Sequence, residues 1–167
     1  MSDIHYEKII QSEASDALLA ECAQLFSEHY GVWAAPHEKA GQRICLTGPM
    51  LRDFLPGENA WIATARLDGE LIGYGLVSLS AYKSEVITWV TQLVVHGDYQ
   101  NQLVGTTLLS SIWGYSRHFA WGIVSANPFA IRALEKATRR RCEHKIMKAS
   151  LAAIKKVLGN VHYLKDR

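Results

Sequence analysis

Val90-Thr-Gln-Leu-Val-Val-His-Gly-Asp-Tyr-Gln-Asn-Gln-Leu-Val-Gly-Thr-Thr-Leu-Leu109 is the stretch that decides the fold, because the period of its apolar residues changes halfway along. Residues 90–95 are rich in β-branched side chains and too few for a helix, which predicts a buried strand. From Gln102 onward, apolar residues recur every three to four positions and predict one face of a long helix: Val104, Leu108, Leu109, Ile112, Trp113 and Phe119. The pattern therefore predicts a strand that runs directly into the start of a helix.

This junction is a candidate anion site. The first turn of a helix leaves backbone N–H groups unpaired and carries about half a positive charge, which attracts phosphate. Residues 99–105 include no Lys or Arg, so a bound anion would be held mainly by backbone donors and amide side chains. An ordinary strand-to-helix turn has the same pattern, and both interpretations remain open at this point.

Residues 93–109 resemble the acetyl-CoA-binding signature of the GNAT superfamily of N-acetyltransferases. In that signature an L-x-V strand end, a short turn and a Q/R-x-x-G-x-G/A loop precede a long helix, and Gln100 and Gly105 match the loop. Asn101 and Leu103 occupy positions where the family has glycine, which allows backbone conformations that a side chain hinders. A register shifted to begin at Gln102 also fits, and the sequence does not choose between the two.

A second segment, residues 127–136, resembles the family's N-x-x-A-x-x-x-Y-x-K motif, which flanks the pantetheine arm and the thioester. Asn127, Ala130 and Lys136 match it. Leu134 replaces the tyrosine that commonly protonates the departing thiolate. The resemblance thus implies that the usual general acid is absent.

The resemblance implies acetyl-CoA as the co-substrate, with the loop and helix start around its diphosphate and the strand end beside its pantetheine arm. The implied cofactor-binding residues are Leu93, Val94, Val95, Gln100, Asn101, Gln102, Leu103, Val104, Gly105, Thr106, Asn127 and Ala130. An amine is the implied acceptor.

Length and charge set limits on the class of protein. The chain has 167 residues, enough for one domain with a real core and too few for two typical ones. Its formal net charge of +2 predicts no general attraction to nucleic acid or to anionic membranes. No stretch approaches the roughly 18 apolar residues of a membrane span, and no basic, apolar leader opens the sequence. We expect one domain over residues 1–167, located in the cytoplasm, with a homodimer left open.

The cysteines and the basic residues carry weaker signals. Cys22, Cys45 and Cys142 are odd in number and widely spaced, which fits a reducing compartment better than a disulfide framework. They form no Cys/His cluster, so no metal site is expected. Residues 139–141 are three arginines with Lys136 close by, interpreted as a solvated helix C-terminus stabilised by the dipole, with a binding site as the alternative.

The remaining pattern predicts a mixed fold. Strands are expected at residues 4–10, 59–67, 71–82, 85–95, 121–126 and 161–164, with a tight hairpin at Asp68-Gly69. Helices are expected from a cap at Ser12 or Ser15 to about residue 30, and at residues 49–55, 102–119, 128–140 and 149–158. The fold class is therefore α/β of the α+β kind, with a GNAT-like, mostly antiparallel central sheet of about six or seven strands and helices on both faces.

Residues 31–57 are the hardest part to assign. His29 is interpreted as a partly buried core histidine rather than a ligand. The resemblance makes Trp33 and His37 candidates for contact with the acceptor, because this region commonly forms part of the acceptor wall. A helix packed over the sheet edge explains the same apolar residues.

Acetyl transfer from a thioester to an amine needs a neutral nucleophile, a donor for the developing oxyanion and a proton for the leaving thiolate. A period of two places Glu85, Ile87, Trp89 and Thr91 on one face of their strand, which makes Glu85 the candidate general base. Water is a candidate proton source for the thiolate, since a thiol pKa of about 8.5 makes coenzyme A a tolerable leaving group.

Two functions from different classes remain open. The first is an N-acetyltransferase that moves an acetyl group from acetyl-CoA to an amine of a small molecule or protein. The second is an acyl-CoA-binding sensor or interaction domain of the same fold without catalysis. Gln100, Gly105, Asn127 and Ala130 favour the enzyme, whereas Leu103 and Leu134 favour the sensor.

Overall fold

A five-stranded sheet organises the computed structural model, which describes residues 3–55, 57–114, 116–118, 120–125, 127–159 and 161. The strands are β1 (His5–Ile10), β2 (Ala60–Leu67), β3 (Glu70–Tyr82), β4 (Glu85–Val95) and β5 (Ala120–Ile123). They lie in the order β1-β2-β3-β4-β5, antiparallel except for the parallel pair β4 and β5. The mixed, mostly antiparallel sheet is confirmed.

The expected strand count of six or seven was slightly too high, since the described residues form five. The predicted strand at residues 161–164 falls mostly outside the described part of the chain. Within that part, the segment before it folds into two helices rather than into strands. The sheet edge beyond β5 consequently gains no partner from residues 127–159.

Six helices surround the sheet: α1 (Asp16–His29), α2 (Gly48–Asp53), α3 (Val104–Trp113), α4 (Pro128–Thr138), α5 (His144–Ala149) and α6 (Leu151–Leu158). Polar side chains cap three of them. The Oγ of Ser15 accepts from the Leu18 amide at 3.1 Å, and Thr47 and Asn127 do the same for α2 and α4.

The helix α3 is shorter than the nearly twenty residues expected. It ends at Trp113 because Gly114 takes a φ of +50°, outside the helical region. Residues 116–118 are not helical, and Phe119, which the apolar pattern also assigned to this helix, lies outside the described residues. The ten-residue helix still connects β4 to the parallel strand β5, as predicted.

Besides a small cluster that joins α6 to β4, two large apolar clusters lie on opposite faces of the sheet, each beneath helices. One joins α1 and α2 to the sheet around Leu19, Ile62 and Leu76. The other joins α3 and α4 to the opposite face around Val90 and Leu108. Gly73 and Gly75 allow α3 to lie close to β3, because a Cβ at either position would press on an α3 side chain at 3.1 Å.

Among the described residues, no helix has the length and apolar character required to cross a membrane. The same residues include no group of three or more His, Cys, Asp or Glu side chains arranged to hold a metal ion.

Candidate functional site

The site begins where β4 and β5 stop pairing. Their parallel ladder runs from Ile87 and Ala120 to Val90 and Ile123, and a last bond joins the Val124 amide to the Val90 carbonyl at 2.8 Å. The strand β4 continues to Val95 beyond this point. A cleft therefore opens in the sheet along the last residues of β4.

A β-bulge in β4 coincides with this opening. Leu76 of β3 pairs with Gln92, and Val77 pairs with Val90, so Thr91 is the additional residue. The hydroxyl of Thr91 donates to the Leu76 carbonyl at 3.4 Å. A bulge reverses the alternation of side chains between the two faces of the sheet. A period of two counted from Glu85 and Trp89 therefore no longer predicts which face the residues after Thr91 occupy.

The loop from β4 to α3 places two residues in the left-handed backbone region. Asn101 has a φ of +62° and Leu103 a φ of +67°. These are the positions where the GNAT signature has glycine. The loop thus keeps a glycine-like backbone without its glycines, and Leu103 bears a steric cost of roughly 1–2 kcal/mol for doing so.

Consecutive amides of this loop and the first turn of α3 are free. No described residue accepts a hydrogen bond from the N–H groups of residues 101–106; the first amide that is bonded again is that of Thr107, to the Leu103 carbonyl at 2.8 Å. Leu103 at the helix N-cap supplies no side-chain acceptor. Six adjacent N–H donors with no partner in the described chain make the loop suited to an anion.

Two glutamines hold the loop in shape. The Nε2 of Gln100 donates to the Val95 carbonyl at 3.0 Å, and the Nε2 of Gln102 donates to the Asp98 carbonyl at 2.6 Å. Both side chains therefore bond back to the chain that precedes the loop. Backbone amides, rather than these glutamines, are left as the main donors toward a ligand.

A groove of about 570 Å³ runs past this loop. Eleven of the twelve predicted cofactor residues line it, and Gln102 does not. Residues lining the groove are His29, Tyr30, Gly31, Val32, Ile44, Leu93, Val94, Val95, Tyr99, Gln100, Asn101, Leu103, Val104, Gly105, Thr106, Ser125, Asn127, Phe129, Ala130, Arg132, Ala133 and Lys136. The sheet opening, the loop and the start of α4 thus meet in one cavity.

Besides the small Ala133, three groove residues on α4 were not predicted as ligands: Phe129, Arg132 and Lys136. They are spaced at three and four residues, which places them along one side of the helix. Among the described residues, no Asp or Glu lines the groove. The cavity accordingly has a cationic wall on α4 facing the free amides of the loop.

The opposite wall comes from the end of α1. The Nδ1 of His29 accepts a hydrogen bond from the Gly97 amide at 3.1 Å, and its ring lies 4.0 Å from that of His96. Burial lowers the pKa of His29 below its ordinary value, and the neighbouring His96 lowers it further. His29 is therefore a structural acceptor that ties α1 to the end of β4, in line with its interpretation as a packing residue.

The Tyr30 ring stacks on Phe26 at 4.1 Å, and its pKa is raised by burial. Tyr30 also lines the groove on that wall. Trp33 and His37 stack on each other at 4.1 Å and do not line the groove.

Two other predicted features lie away from the groove. Glu85 is exposed at the first position of β4, and five residues of strand, about 17 Å, separate it from Val90. Glu85 does not line the groove, and its role as general base, directly or through water, remains a prediction. Leu134 is 9% exposed and packs in the α3 and α4 cluster, which leaves the groove open beside Asn127.

The family model "Acetyltransferase (GNAT) family" matches residues 18–149 of the chain. This range includes the groove-lining segments of β4, α3 and α4. Curated protein sequences give no match.

Solved structures share the fold at low sequence identity. A transcriptional regulator from Bacillus halodurans C-125 is 13% identical, with a TM-score of 0.60 over 84% of this chain and 95% of that one. A ribosomal-protein-alanine N-acetyltransferase from Brucella melitensis biovar Abortus 2308 is 13% identical, with a TM-score of 0.57 over 84% and 93%. The aminoglycoside N-acetyltransferase AAC(6')-Iy, in complex with CoA, is 13% identical, with a TM-score of 0.55 over 84% and 90%.

Proposed function

The chain belongs to the GNAT acetyltransferase family, and on that premise we propose that it moves an acetyl group from acetyl-CoA to an amine of a small molecule or protein. The observation that carries the proposal is the run of free amides at residues 101–106 beside the open end of β4. A diphosphate presents several anionic oxygens to such a run, and the helix dipole of α3 adds attraction.

The opening between β4 and β5 is suited to the pantetheine arm of the cofactor. A pantetheine arm contains two amide groups, so it can lie between parted strands and bond to their backbones as an added strand would. Leu93 to Val95 provide one side of that channel, and Asn127 and Ala130 begin the other. In this arrangement the thioester lies near the Thr91 bulge, where β4 and β5 separate.

The acceptor amine must reach the thioester as a neutral nucleophile. The amine nitrogen forms the new bond to the carbonyl carbon, the C–S bond breaks, and the amine loses its proton while the thiolate gains one. With Leu134 buried, we take the hydroxyl of Tyr30, a residue that lines the groove, as the candidate proton source. Water is the alternative, since a thiol pKa of about 8.5 permits departure without an acid.

Neighbouring structures support an amine as acceptor. The names of two of them specify N-acetylation, of an aminoglycoside in one case and of a ribosomal protein alanine in the other. These acceptors differ widely in size and charge. We therefore propose the amine class and not a particular molecule.

An acyl-CoA-binding sensor is the second candidate, favoured by one observation. Leu134 stands in the apolar core at the position of the family's tyrosine, so no acid reaches the groove from that point on α4. A sensor would bind the cofactor in the same groove and leave it intact.

Release of free thiol from acetyl-CoA, measured across a panel of amines, separates the two functions. The panel contains aminoglycosides, polyamines, amino acids and peptides with free N-termini. The enzyme releases thiol with at least one acceptor and forms the matching acetylated product by mass spectrometry. Stable binding of acetyl-CoA without release across the panel would favour the sensor, and no binding at millimolar concentration would contradict both.

A further inference from the structure

We propose that Arg132 and Lys136 on α4 bind the 3′-phosphate of coenzyme A, so that the protein distinguishes coenzyme A from dephospho-coenzyme A. This inference rests on the proposed function, because it assigns the nucleotide end of the same ligand. The diphosphate belongs to the loop on the other wall of the groove, and the 3′-phosphate is a separate anion on the ribose.

The two cations are placed together and are available. Arg132 and Lys136 are four residues apart on α4, about one helical turn or 6 Å, and both line the groove. Both are exposed, and neither forms an ion pair with a described carboxylate. Glu135, one turn along the same helix, interacts electrostatically with Arg132 and is itself paired with Arg141, and no described carboxylate lines the groove beside the two cations.

Nearby cations are in a different situation. Arg141 pairs with Glu135 at 3.1 Å, and Arg140 lies over the Trp121 ring at 5.8 Å. Neither lines the groove. Of the basic residues in this part of α4 and the turn after it, Arg132 and Lys136 are the pair directed to the cavity.

The diphosphate does not require these two cations. Its donors are the free amides of residues 101–106, in a loop that has no basic side chain. A second anionic group on the same ligand would explain why the facing wall has a second, positively charged site. Coenzyme A carries one such group, the 3′-phosphate, which is a dianionic monoester near neutral pH.

Phe129 completes this side of the groove. It lies three residues before Arg132, lines the groove and is 61% exposed. An exposed aromatic face next to cations is suited to a purine ring, because an aromatic side chain stacks favourably on any nucleotide base. The adenine and the 3′-phosphate are joined through one ribose, so neighbouring sites on α4 can hold both.

Isothermal titration of the full chain with coenzyme A and with dephospho-coenzyme A tests the inference. At low salt we expect coenzyme A to bind about tenfold more tightly than dephospho-coenzyme A. Hydrogen bonds between the 3′-phosphate and the two cations strengthen binding, and their exposure to solvent limits the gain. The preference should shrink as salt rises. In the variant carrying Arg132→Gln and Lys136→Gln, the two ligands should bind equally. The control variant carrying Lys145→Gln and Lys148→Gln removes the same charge from α5 and should keep the preference.

Each of the other possible results would refute a specific part of the proposal. Equal binding of the two ligands by the unmodified protein would refute a 3′-phosphate site while leaving the proposed function intact. A preference that survives in the α4 variant would refute its assignment to Arg132 and Lys136. Loss of preference in the α5 control would show a general field instead of a site. Failure of both ligands to bind would refute the proposed function along with this inference.

Discussion

Asn101 and Leu103 lie two residues apart in the left-handed backbone region, with φ angles of +62° and +67°, on either side of Gln102. Asparagine tolerates this conformation because its short polar side chain bonds locally, whereas leucine does not. The pair gives the loop the backbone course that leaves the amides of residues 101–106 free. Because the Leu103 side chain is 59% exposed, its packing contacts offset little of the steric cost of its left-handed backbone.

Leu103→Gly should stabilise the protein by about 1 kcal/mol. Removing the Cβ relieves the left-handed strain, and the greater freedom of glycine in the unfolded chain offsets part of the gain. Urea denaturation measures the change in unfolding free energy. Leu103→Ala is the control, since it keeps the Cβ and should not stabilise. A loss of stability in the glycine variant would show that Leu103 contributes packing that outweighs its strain.

Gly105→Leu should weaken acetyl-CoA binding by about 100-fold, or roughly 3 kcal/mol, while the chain still folds. A Cβ at Gly105 would meet Val95 at 3.6 Å, which is ordinary contact, so the added bulk extends into the groove. In the unmodified protein, ligand at 100 times its dissociation constant should add about 2.7 kcal/mol of stability. Thermal unfolding with and without ligand measures the stabilisation in the unmodified protein and its loss in the variant.

The control is Thr107→Leu, at an exposed position outside the groove, which should bind acetyl-CoA normally. Full binding by the Gly105 variant would show that the loop is misassigned.

Acidification should weaken the link between α1 and the end of β4. The pKa of His29 is lowered in the folded state, so the unfolded chain takes up its proton first and stability falls as pH drops below about 6.5. His96, Glu28, Arg43 and Asp98 act on the same ring.

His29→Asn isolates this contribution, because its amide oxygen can accept from the Gly97 amide and does not titrate in this range. Unfolding free energies measured from pH 7.5 to 5 should fall more steeply for the unmodified protein than for the variant. Parallel curves would mean that His29 titrates alike in the folded and unfolded chains.

Gly122→Ala should destabilise the protein by about 2–3 kcal/mol. Gly122 of β5 pairs with Trp89 of β4, and a Cβ there would overlap the Trp89 ring. The ring cannot retreat freely because it packs against the cluster of Ile87 with Ala153 and Val157 of α6. A double-mutant cycle with Trp89→Leu checks the cause: the alanine should be much better tolerated when the indole is absent. Simple additivity would place the strain elsewhere.

The sequence pattern predicted most elements because local signals and tertiary burial agree there. The strand β4 has the bounds expected, and Asp68 and Gly69 form the predicted turn with φ angles of +50° and +88°. The cofactor residues came from one contiguous loop and one capped helix, so the resemblance could place them without knowledge of the fold. Their binding role remains a prediction.

Features that depend on tertiary structure were missed. The bulge at Thr91 changes the alternation of β4, which a strict period of two cannot show, and Glu85 was chosen on that period. The groove cations lie on a helix whose orientation toward the loop is set only when α3 and α4 pack together. Their spacing with Phe129 was the available signal, a stripe at three and four residues that begins beside Asn127.

Amide chemical shifts during a coenzyme A titration test the central claim most directly. Two-dimensional ¹H–¹⁵N spectra report each backbone N–H separately, and hydrogen bonds to phosphate move such resonances downfield. At saturating coenzyme A, we predict large downfield shifts for several amides between Asn101 and Thr106, with those of β1 and β2 nearly unchanged. Saturation of the protein with unmoved resonances throughout residues 101–106 would contradict the account.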